Sequence, residues 1–192
     1  MVIHLIRHGK TMANERRLYC GSTDLPLSEG GVDELAAFKA EGIYPRADLY
    51  FTSGLLRTEQ TLDIIYGPVD RRAVAGIAEY KFGLFEMKSY EELKTREDYQ
   101  AWITDEHGLV ECPHGENKRQ FEKRVIEGYG YIVGEIRSSG CDSAFISCHG
   151  GVIACIMEYL MPGERNFYEW QPKPGRGYTL IFEAVRPRVE AI

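Results

Sequence analysis

Two arginines and two histidines of this chain have the side-chain chemistry needed to hold and move a phosphoryl group. Arg7 and His8 are adjacent near the amino terminus, whereas Arg57 and His149 lie far along the chain. A guanidinium stays charged at any useful pH and presents a planar set of donors that matches phosphate oxygens. An imidazole attacks phosphorus through an unprotonated ring nitrogen. These residue types predict a pocket for one phosphoryl group, with His8 as the nucleophile.

The two imidazoles are expected to differ in protonation. For His8 to attack through one nitrogen, its other nitrogen should donate to a fixed acceptor such as a backbone carbonyl, and Gly9 permits the close turn that this needs. His149 is expected to be protonated, so that it donates to the phosphate. The backbone N–H groups of Gly9 and Gly150, near helix starts, are expected to add anion-binding dipoles.

A carboxylic acid is the natural donor of the proton that a leaving alkoxide needs. Glu79 and Glu86 lie in one short segment, and either could fill this role. The same carboxylate could then activate the water that hydrolyses a phosphohistidine, as microscopic reversibility requires.

Several ordered segments resemble the motifs of the histidine phosphatase superfamily, which includes cofactor-dependent phosphoglycerate mutases and many small phosphatases. They run over nearly the whole chain: residues 7–11 with Asn14, 21–27, 52–61, 79–86, 113–116, Phe121 with Arg124 and Val125, and 147–151. The resemblance implies that Glu79 is the acid, because the family's acid precedes a glycine by four positions, as Glu79 precedes Gly83.

The resemblance also implies an activity. It indicates a histidine acid phosphatase-type hydrolase of a small phosphomonoester, acting through phosphohistidine without metal or cofactor and similar to small bacterial α-ribazole phosphatases. A mutase is the alternative, although the segment after the acid carries only Lys88, Lys94 and Arg96 before Cys112 and lacks the mutases' adjacent arginine pair. A pocket that binds a phosphorylated ligand without turnover is the alternative from another class.

Some residues allow two interpretations. Thr11 and Asn14 could contact phosphate or cap a helix. The aromatic residues Tyr90, Tyr99 and Trp102 could pack a small cap or contact substrate. Two positions depart from the family pattern, because Lys10 stands where glutamate is common and Met87 where glycine usually follows the second glutamate. Four other residues are expected to have structural roles only. His4 is expected within a strand, His107 and His114 in loops, and Cys148 as an inert buried thiol.

Composition limits the class of protein. With 192 residues, 44% of them hydrophobic and 27% charged, the chain is long enough for one globular domain over 1–192. The net charge of −6 disfavours nucleic acid as a partner. The five cysteines lack CxxC spacing and favour neither a disulfide framework nor a zinc site. No apolar run is long enough to predict a membrane span. We therefore expect a cytoplasmic enzyme that acts on a phosphorylated metabolite.

Alternating strands and helices must position these side chains. Apolar runs predict strands at 2–6, 48–52, 73–77 and 143–147, with a last strand at 178–182. Helices are predicted from three stripes: Val32, Leu35, Ala36 and Ala40 after a Ser28 cap; Leu55, Thr58, Leu62 and Ile65; and Phe121, Val125, Ile132 and Ile136. This order predicts an α/β fold, a three-layer α/β/α sandwich with a mostly parallel central sheet and a small helical cap at 87–115. Polar clusters at 7–14, 52–57 and 147–151 each follow a strand, so they should converge.

Overall fold

The computed structural model describes residues 1–183 and 186–192 and contains a mixed sheet. Its strands in the described ranges are β1 (Val2–Arg7), β2 (Leu49–Thr52), β3 (Arg72–Ala73), β4 (Ser143–Cys148), β5 (Gly177–Ile181) and β6 (Arg188–Ala191). They lie in the order β3-β2-β4-β1-β5-β6. The first four of these are mutually parallel, and β5 and β6 continue the sheet in antiparallel pairings.

Helices connect the strands. Their bounds are α1 (Met12–Glu15), α2 (Glu29–Ala40), α3 (Leu56–Tyr66), α4 (Tyr90–Leu93), α5 (Glu97–Ile103), α6 (Lys118–Ser139) and α7 (Gly150–Leu160). The residues predicted to stripe α6 (Phe121, Val125, Ile132 and Ile136) are all buried. No helix among the described residues is both long and apolar enough to cross a bilayer.

Two apolar clusters cover opposite faces of the sheet. In β4, Ala144 and Ile146 join the cluster that contains α6 and α7, whereas Phe145 between them joins the cluster that contains α3. Because successive strand side chains point to opposite faces, this alternation places helices on both sides of the sheet. The predicted α/β fold is confirmed, with the helical layers that a three-layer sandwich requires.

The register brings the functional segments together. Arg7 at the end of β1 pairs with Cys148 at the end of β4, and Thr52 at the end of β2 pairs with Ser147. The next residues, including His8 and His149, therefore leave the sheet at one edge, as expected for the carboxyl ends of parallel strands.

Three predictions about elements were wrong. The strand predicted at 73–77 ends at Ala73 and is followed by a 3₁₀ turn over Ala75–Ile77. The strand predicted at 178–182 is β5, but it is not the last strand. β6 follows it in the chain and pairs with it antiparallel at the edge of the sheet.

The third error concerns the face of α2. Its buried residues are Gly31 and Leu35, and the other three predicted core positions (Val32, Ala36 and Ala40) are exposed. Gly31 defines the packed side because a Cβ atom there would lie 2.2 Å from the carbonyl oxygen of Lys10. The side of α2 that packs is therefore marked by Leu35 and by a close backbone approach at Gly31, not by the full apolar stripe.

Candidate active site

His8 and His149 lie side by side, with ring centroids 5.2 Å apart and ring planes at 65°. His8 Nδ1 is 2.7 Å from the carbonyl oxygen of Gly9, the backbone contact that the sequence predicts. If Nδ1 donates this bond, Nε2 keeps its lone pair. Nε2 has no hydrogen-bond partner within the described residues and is not among the fully enclosed polar atoms. His8 is therefore oriented as a nucleophile needs to be.

The expected opposite protonation of the two histidines is wrong for the protein without a bound anion. Burial, followed by the positive charges of Arg57 and Arg7, holds the pKa of His8 well below its usual value. The pKa of His149 is lowered for the same reasons, burial first and Arg57 next. Two arginines disfavour any further cation, and a phosphoryl group between them would oppose this effect with its negative charge.

Arg57 is 1% exposed, so its charge is enclosed. Its Nη1 donates to the carbonyl oxygen of Thr23 at 2.9 Å, and its Nη2 donates to that of Gly21 at 2.7 Å. These two acceptors fix the plane of the guanidinium. Helix α3 also contacts the segment that carries the nucleophile, because the Thr61 hydroxyl accepts a hydrogen bond from the Gly9 N–H at 3.0 Å. The expected role of this N–H in anion binding is thus a wrong prediction.

Arg7 is held from the opposite side of the site. Its Nη1 donates to the carbonyl oxygen of Pro172 at 2.9 Å, while its Nε is enclosed and has no partner among the described residues. Gly150 packs on this guanidinium so closely that a Cβ atom would lie 3.1 Å from Cζ of Arg7. The N–H of Gly150 makes no hydrogen bond within the described residues. Both groups are donors that an anion could satisfy.

His149 is the N-cap residue of α7, and its ring contacts the loop that follows β2. Its Nε2 lies 2.8 Å from the Ser53 hydroxyl oxygen, and its Nδ1 is enclosed without a partner in the described ranges. The neighbouring thiol of Cys148 is completely buried, and burial raises its pKa. A thiolate mechanism at Cys148 is disfavoured for that reason.

Glu79 reaches the first turn of α7. Its Oε2 accepts from the Gly151 N–H at 3.0 Å, and its Oε1 accepts from the Tyr80 N–H at 2.9 Å. Arg124 fixes the backbone of this segment by donating to the carbonyl oxygens of Ala78 and Glu79. The carboxylate therefore lies at the start of the helix that follows His149, where its charge raises the pKa of Arg7 against the effect of burial.

Glu86, the alternative acid, is occupied elsewhere. Its carboxylate accepts hydrogen bonds from the backbone N–H groups of Gly21, Ser22, Thr23 and Phe82 and from the Thr23 hydroxyl. It organises the 21–23 turn, the same turn that supplies the acceptors of Arg57. Glu86 thus acts on the site through Arg57, and the geometry favours Glu79 as the acid.

Thr11 and Asn14 form a capping box at α1. The Thr11 hydroxyl and N–H both donate to Oδ1 of Asn14, and Thr11 is 1% exposed. For Thr11 the capping role therefore replaces phosphate contact. Asn14 also lines an open cleft of about 680 Å³, together with Arg7, Lys10, Ala13, Glu15, Arg17, Leu18, Gly30 and Pro174. Arg7 is the member of the histidine–arginine cluster that reaches this cleft.

The cap aromatics mostly pack against one another. Tyr99 is completely buried and its hydroxyl lies 2.6 Å from that of Tyr19, while Trp102 Nε1 donates to the Tyr80 hydroxyl at 3.0 Å. Tyr90 is exposed. Packing, the role that sequence favours, accounts for Tyr99 and Trp102.

His4, Lys10 and Met87 also have defined surroundings in the structure. His4 Nδ1 lies 2.9 Å from the Thr179 hydroxyl, so its ring is satisfied within β1 as predicted. Lys10 forms an ion pair with Glu34 at 3.0 Å. Met87 has φ of 58°, a conformation that favours glycine, which explains why glycine is usual at this position of the family pattern.

Sequence reasoning missed three supporting residues. Ser53 contacts His149, Thr61 accepts from Gly9, and Pro172 accepts from Arg7. Ser53 could have been found as the first polar residue after β2. A backbone carbonyl such as that of Pro172 leaves no side-chain signal.

Comparisons with known proteins show which proteins this chain resembles. The chain is 28% identical over 165 residues to an adenosylcobalamin/alpha-ribazole phosphatase of Salmonella typhimurium, which covers 84% of this chain and 80% of that one. The alpha-ribazole phosphatase structure from Shigella flexneri, at 23% identity, has the same fold, with a TM-score of 0.83 over 100% of this chain and 96% of the other.

A phosphoglycerate mutase structure from Thermus thermophilus is similar too, with 25% identity and a TM-score of 0.74 over 98% of this chain and 96% of that one. The model of one family matches residues 3–192, which include every candidate site residue described above. The chain therefore belongs to the histidine phosphatase superfamily, branch 1.

Proposed function

We propose that this protein hydrolyses a small phosphomonoester through a phosphohistidine formed at His8, without a metal ion. One observation carries the proposal: the Nδ1 contact of His8 with the Gly9 carbonyl leaves Nε2 as the nucleophilic nitrogen, beside His149 and within the positive field of Arg7 and the buried Arg57. Arg7 and Arg57 supply the positive charge that a loose phosphoryl-transfer transition state requires.

The first step transfers the phosphoryl group to the enzyme. His8 Nε2 attacks phosphorus, the bond from phosphorus to the ester oxygen breaks, and the Glu79 carboxyl group gives its proton to the departing oxygen. Arg7, Arg57 and the N–H of Gly150 stabilise the equatorial oxygens, while the free Nδ1 of His149 is placed to donate to them.

The second step regenerates the enzyme. The Glu79 carboxylate takes a proton from water, the water oxygen attacks phosphorus, and the bond between phosphorus and Nε2 of His8 breaks. Inorganic phosphate leaves, and Glu79 is protonated again for the next cycle.

The cations after the acid segment favour hydrolysis over a mutase reaction. Lys94 pairs with Glu91 and Arg96 pairs with Asp98 on the surface, and the segment lacks the adjacent arginine pair of the mutases. The curated relative from Salmonella suggests α-ribazole phosphate as one candidate substrate. The whole chain would act as one catalytic unit, with 87–115 as a cap whose Tyr99 and Trp102 contact Tyr19 and the acid-segment residue Tyr80.

The test is turnover of p-nitrophenyl phosphate without added metal. We expect activity that excess EDTA leaves intact, that His8→Ala abolishes, and that His107→Ala, the removal of an exposed imidazole, leaves unchanged. Protein quenched in alkaline denaturant should carry a phosphate that is stable in alkali, is released by acid, and is absent from His8→Ala. Loss of activity in EDTA, or turnover that survives His8→Ala, would contradict the proposal.

Two further outcomes separate the alternatives. Conversion of 3-phosphoglycerate to 2-phosphoglycerate in the presence of its bisphosphate would show a mutase. Tight binding of inorganic phosphate without turnover of any phosphomonoester in a metabolite panel would show a binding module.

A further inference from the structure

Arg17 adopts a backbone conformation that ordinarily selects glycine. Helix α1 ends in a Schellman arrangement, in which the Arg17 N–H donates to the carbonyl oxygen of Asn14 at 3.2 Å and the Leu18 N–H donates to that of Ala13 at 2.9 Å. Arg17 occupies the left-handed position of this motif, with φ of 56°. Glycine is the usual residue there because a Cβ atom is strained at positive φ. An arginine at such a position calls for a functional explanation.

The side chain of Arg17 lies where it could meet a substrate. Arg17 is exposed and lines the 680 Å³ cleft beside Arg7. It forms no ion pair or side-chain hydrogen bond within residues 1–183 and 186–192. The other cations of the cleft have partners, because Lys10 pairs with Glu34 and Arg7 donates to Pro172. Arg17 thus offers a guanidinium that the fold itself does not use.

The charge of the cleft favours an anion. Arg7, Lys10 and Arg17 line it together with one carboxylate, that of Glu15, and Lys10 is neutralised by Glu34, so Arg7 and Arg17 face Glu15 with one positive charge in excess. The protein as a whole carries a net charge of −6. A local excess of positive charge in a cleft focuses its field on an incoming anion even when the overall sign is opposite.

We propose that Arg17 binds a second anionic group of the substrate, so that the preferred substrate is a phosphomonoester that carries a carboxylate or a second phosphate. This inference rests on the proposed function, because Arg7 connects the cleft to the site where the first phosphoryl group reacts. It narrows the substrate class, since a phosphorylated riboside such as α-ribazole phosphate has no second anionic group for Arg17 to bind.

The test compares substrates that differ only in the second anion. One pair is 3-phosphoglycerate and glycerol 3-phosphate, and a second, with wider spacing, is 4-carboxyphenyl phosphate and phenyl phosphate. We expect Arg17→Gly to lower kcat/KM roughly tenfold for the doubly anionic member, through KM, and to leave the other member within about twofold. Arg17→Lys should retain part of the preference, and the loss should shrink at high salt because the site is exposed.

Stability separates binding from a structural role. Glycine relieves the strain at positive φ, so the melting temperature of Arg17→Gly should equal or exceed that of the wild type while the substrate preference is lost. Arg16→Ala is the matched control, because it removes an adjacent exposed charge that does not line the cleft. It should leave both pairs of substrates unaffected.

Three outcomes would contradict the proposed role of Arg17. Equal losses for both members of each pair, no change in either pair, or a lowered melting temperature with Arg17→Gly would each refute the assignment. Calorimetric titration of His8→Ala with the same pairs measures binding without chemistry. If the wild type turns over no phosphomonoester, the proposed function fails, whereas this titration still decides the role of Arg17.

Discussion

Glu79 and Gly151 are joined by a hydrogen bond of 3.0 Å, in which the backbone N–H of the glycine donates to Oε2 of the carboxylate. Gly151 is the second residue of α7, so Glu79 satisfies one of the N–H groups that a helix start leaves without an intrahelical partner. The same helix begins directly after His149. A single contact therefore fixes the distance from the acid to the histidine pair.

Replacing Glu79 with Gln removes the proton donor while keeping a similar shape. We expect turnover of alkyl phosphates, whose leaving groups are poor, to fall about 10²- to 10⁴-fold, whereas p-nitrophenyl phosphate, whose leaving group needs no proton, is affected much less. The measurement is kcat/KM across a series of esters with graded leaving groups. A loss of the same size for every ester would count against Glu79 as the acid.

The glycine of this contact can be tested on its own. A Cβ atom at position 151 would lie 2.5 Å from Oε1 of Glu79, so Gly151→Ala must displace the carboxylate. We expect the leaving-group dependence of Glu79→Gln to reappear, in weaker form. Gly130→Ala in α6 is the control, because nothing lies within 4 Å of its Cβ position. It should leave kinetics unchanged and stabilise the helix by about 0.5–1 kcal/mol. Wild-type kinetics for Gly151→Ala would show that the position of Glu79 is not critical.

Glu86 is predicted to act through Arg57. Glu86→Gln weakens the hold on the 21–23 turn, whose carbonyl oxygens fix the Arg57 guanidinium. We expect weaker inhibition by inorganic phosphate and a kcat/KM loss of similar size for alkyl and aryl esters. Glu92→Gln is the matched control, since Glu92 also accepts from a backbone N–H, that of Ser89, but is exposed and does not contact the 21–23 turn. A leaving-group-dependent loss in Glu86→Gln would instead make Glu86 the acid.

Much of the site follows from local sequence. Apolar runs end at Arg7 and before His149, and parallel strands must bring such ends to one edge of a sheet. The contact of His8 with the Gly9 carbonyl is local in sequence and follows from what a nucleophilic imidazole needs. The choice between Glu79 and Glu86 came from a motif, and the structure adds the reason for it.

Other features depend on tertiary contacts that no local pattern carries. The acceptor of Arg7 is a carbonyl oxygen at Pro172, 165 positions away. The face of α2 is set by the approach of the Lys10 backbone to Gly31. The lowered pKa of His149 depends on complete burial and on the charge of Arg57, neither of which can be read from residue order.

The lowered pKa values predict how the free protein responds to acid. His4, His8 and His149 all have a pKa below the ordinary value of 6.5, burial being the main cause. At pH 6.5 the unfolded chain binds more protons at these imidazoles than the folded chain does, so the free energy of unfolding should decrease as pH falls below about 6.5. Urea unfolding at about pH 7.5 and about pH 5.5 measures this decrease. In parallel, ¹⁵N spectra at pH 6.5 should show His8 neutral, with the proton on Nδ1. A protonated His8 at that pH, or stability that rises on acidification, would contradict the electrostatic account of the site.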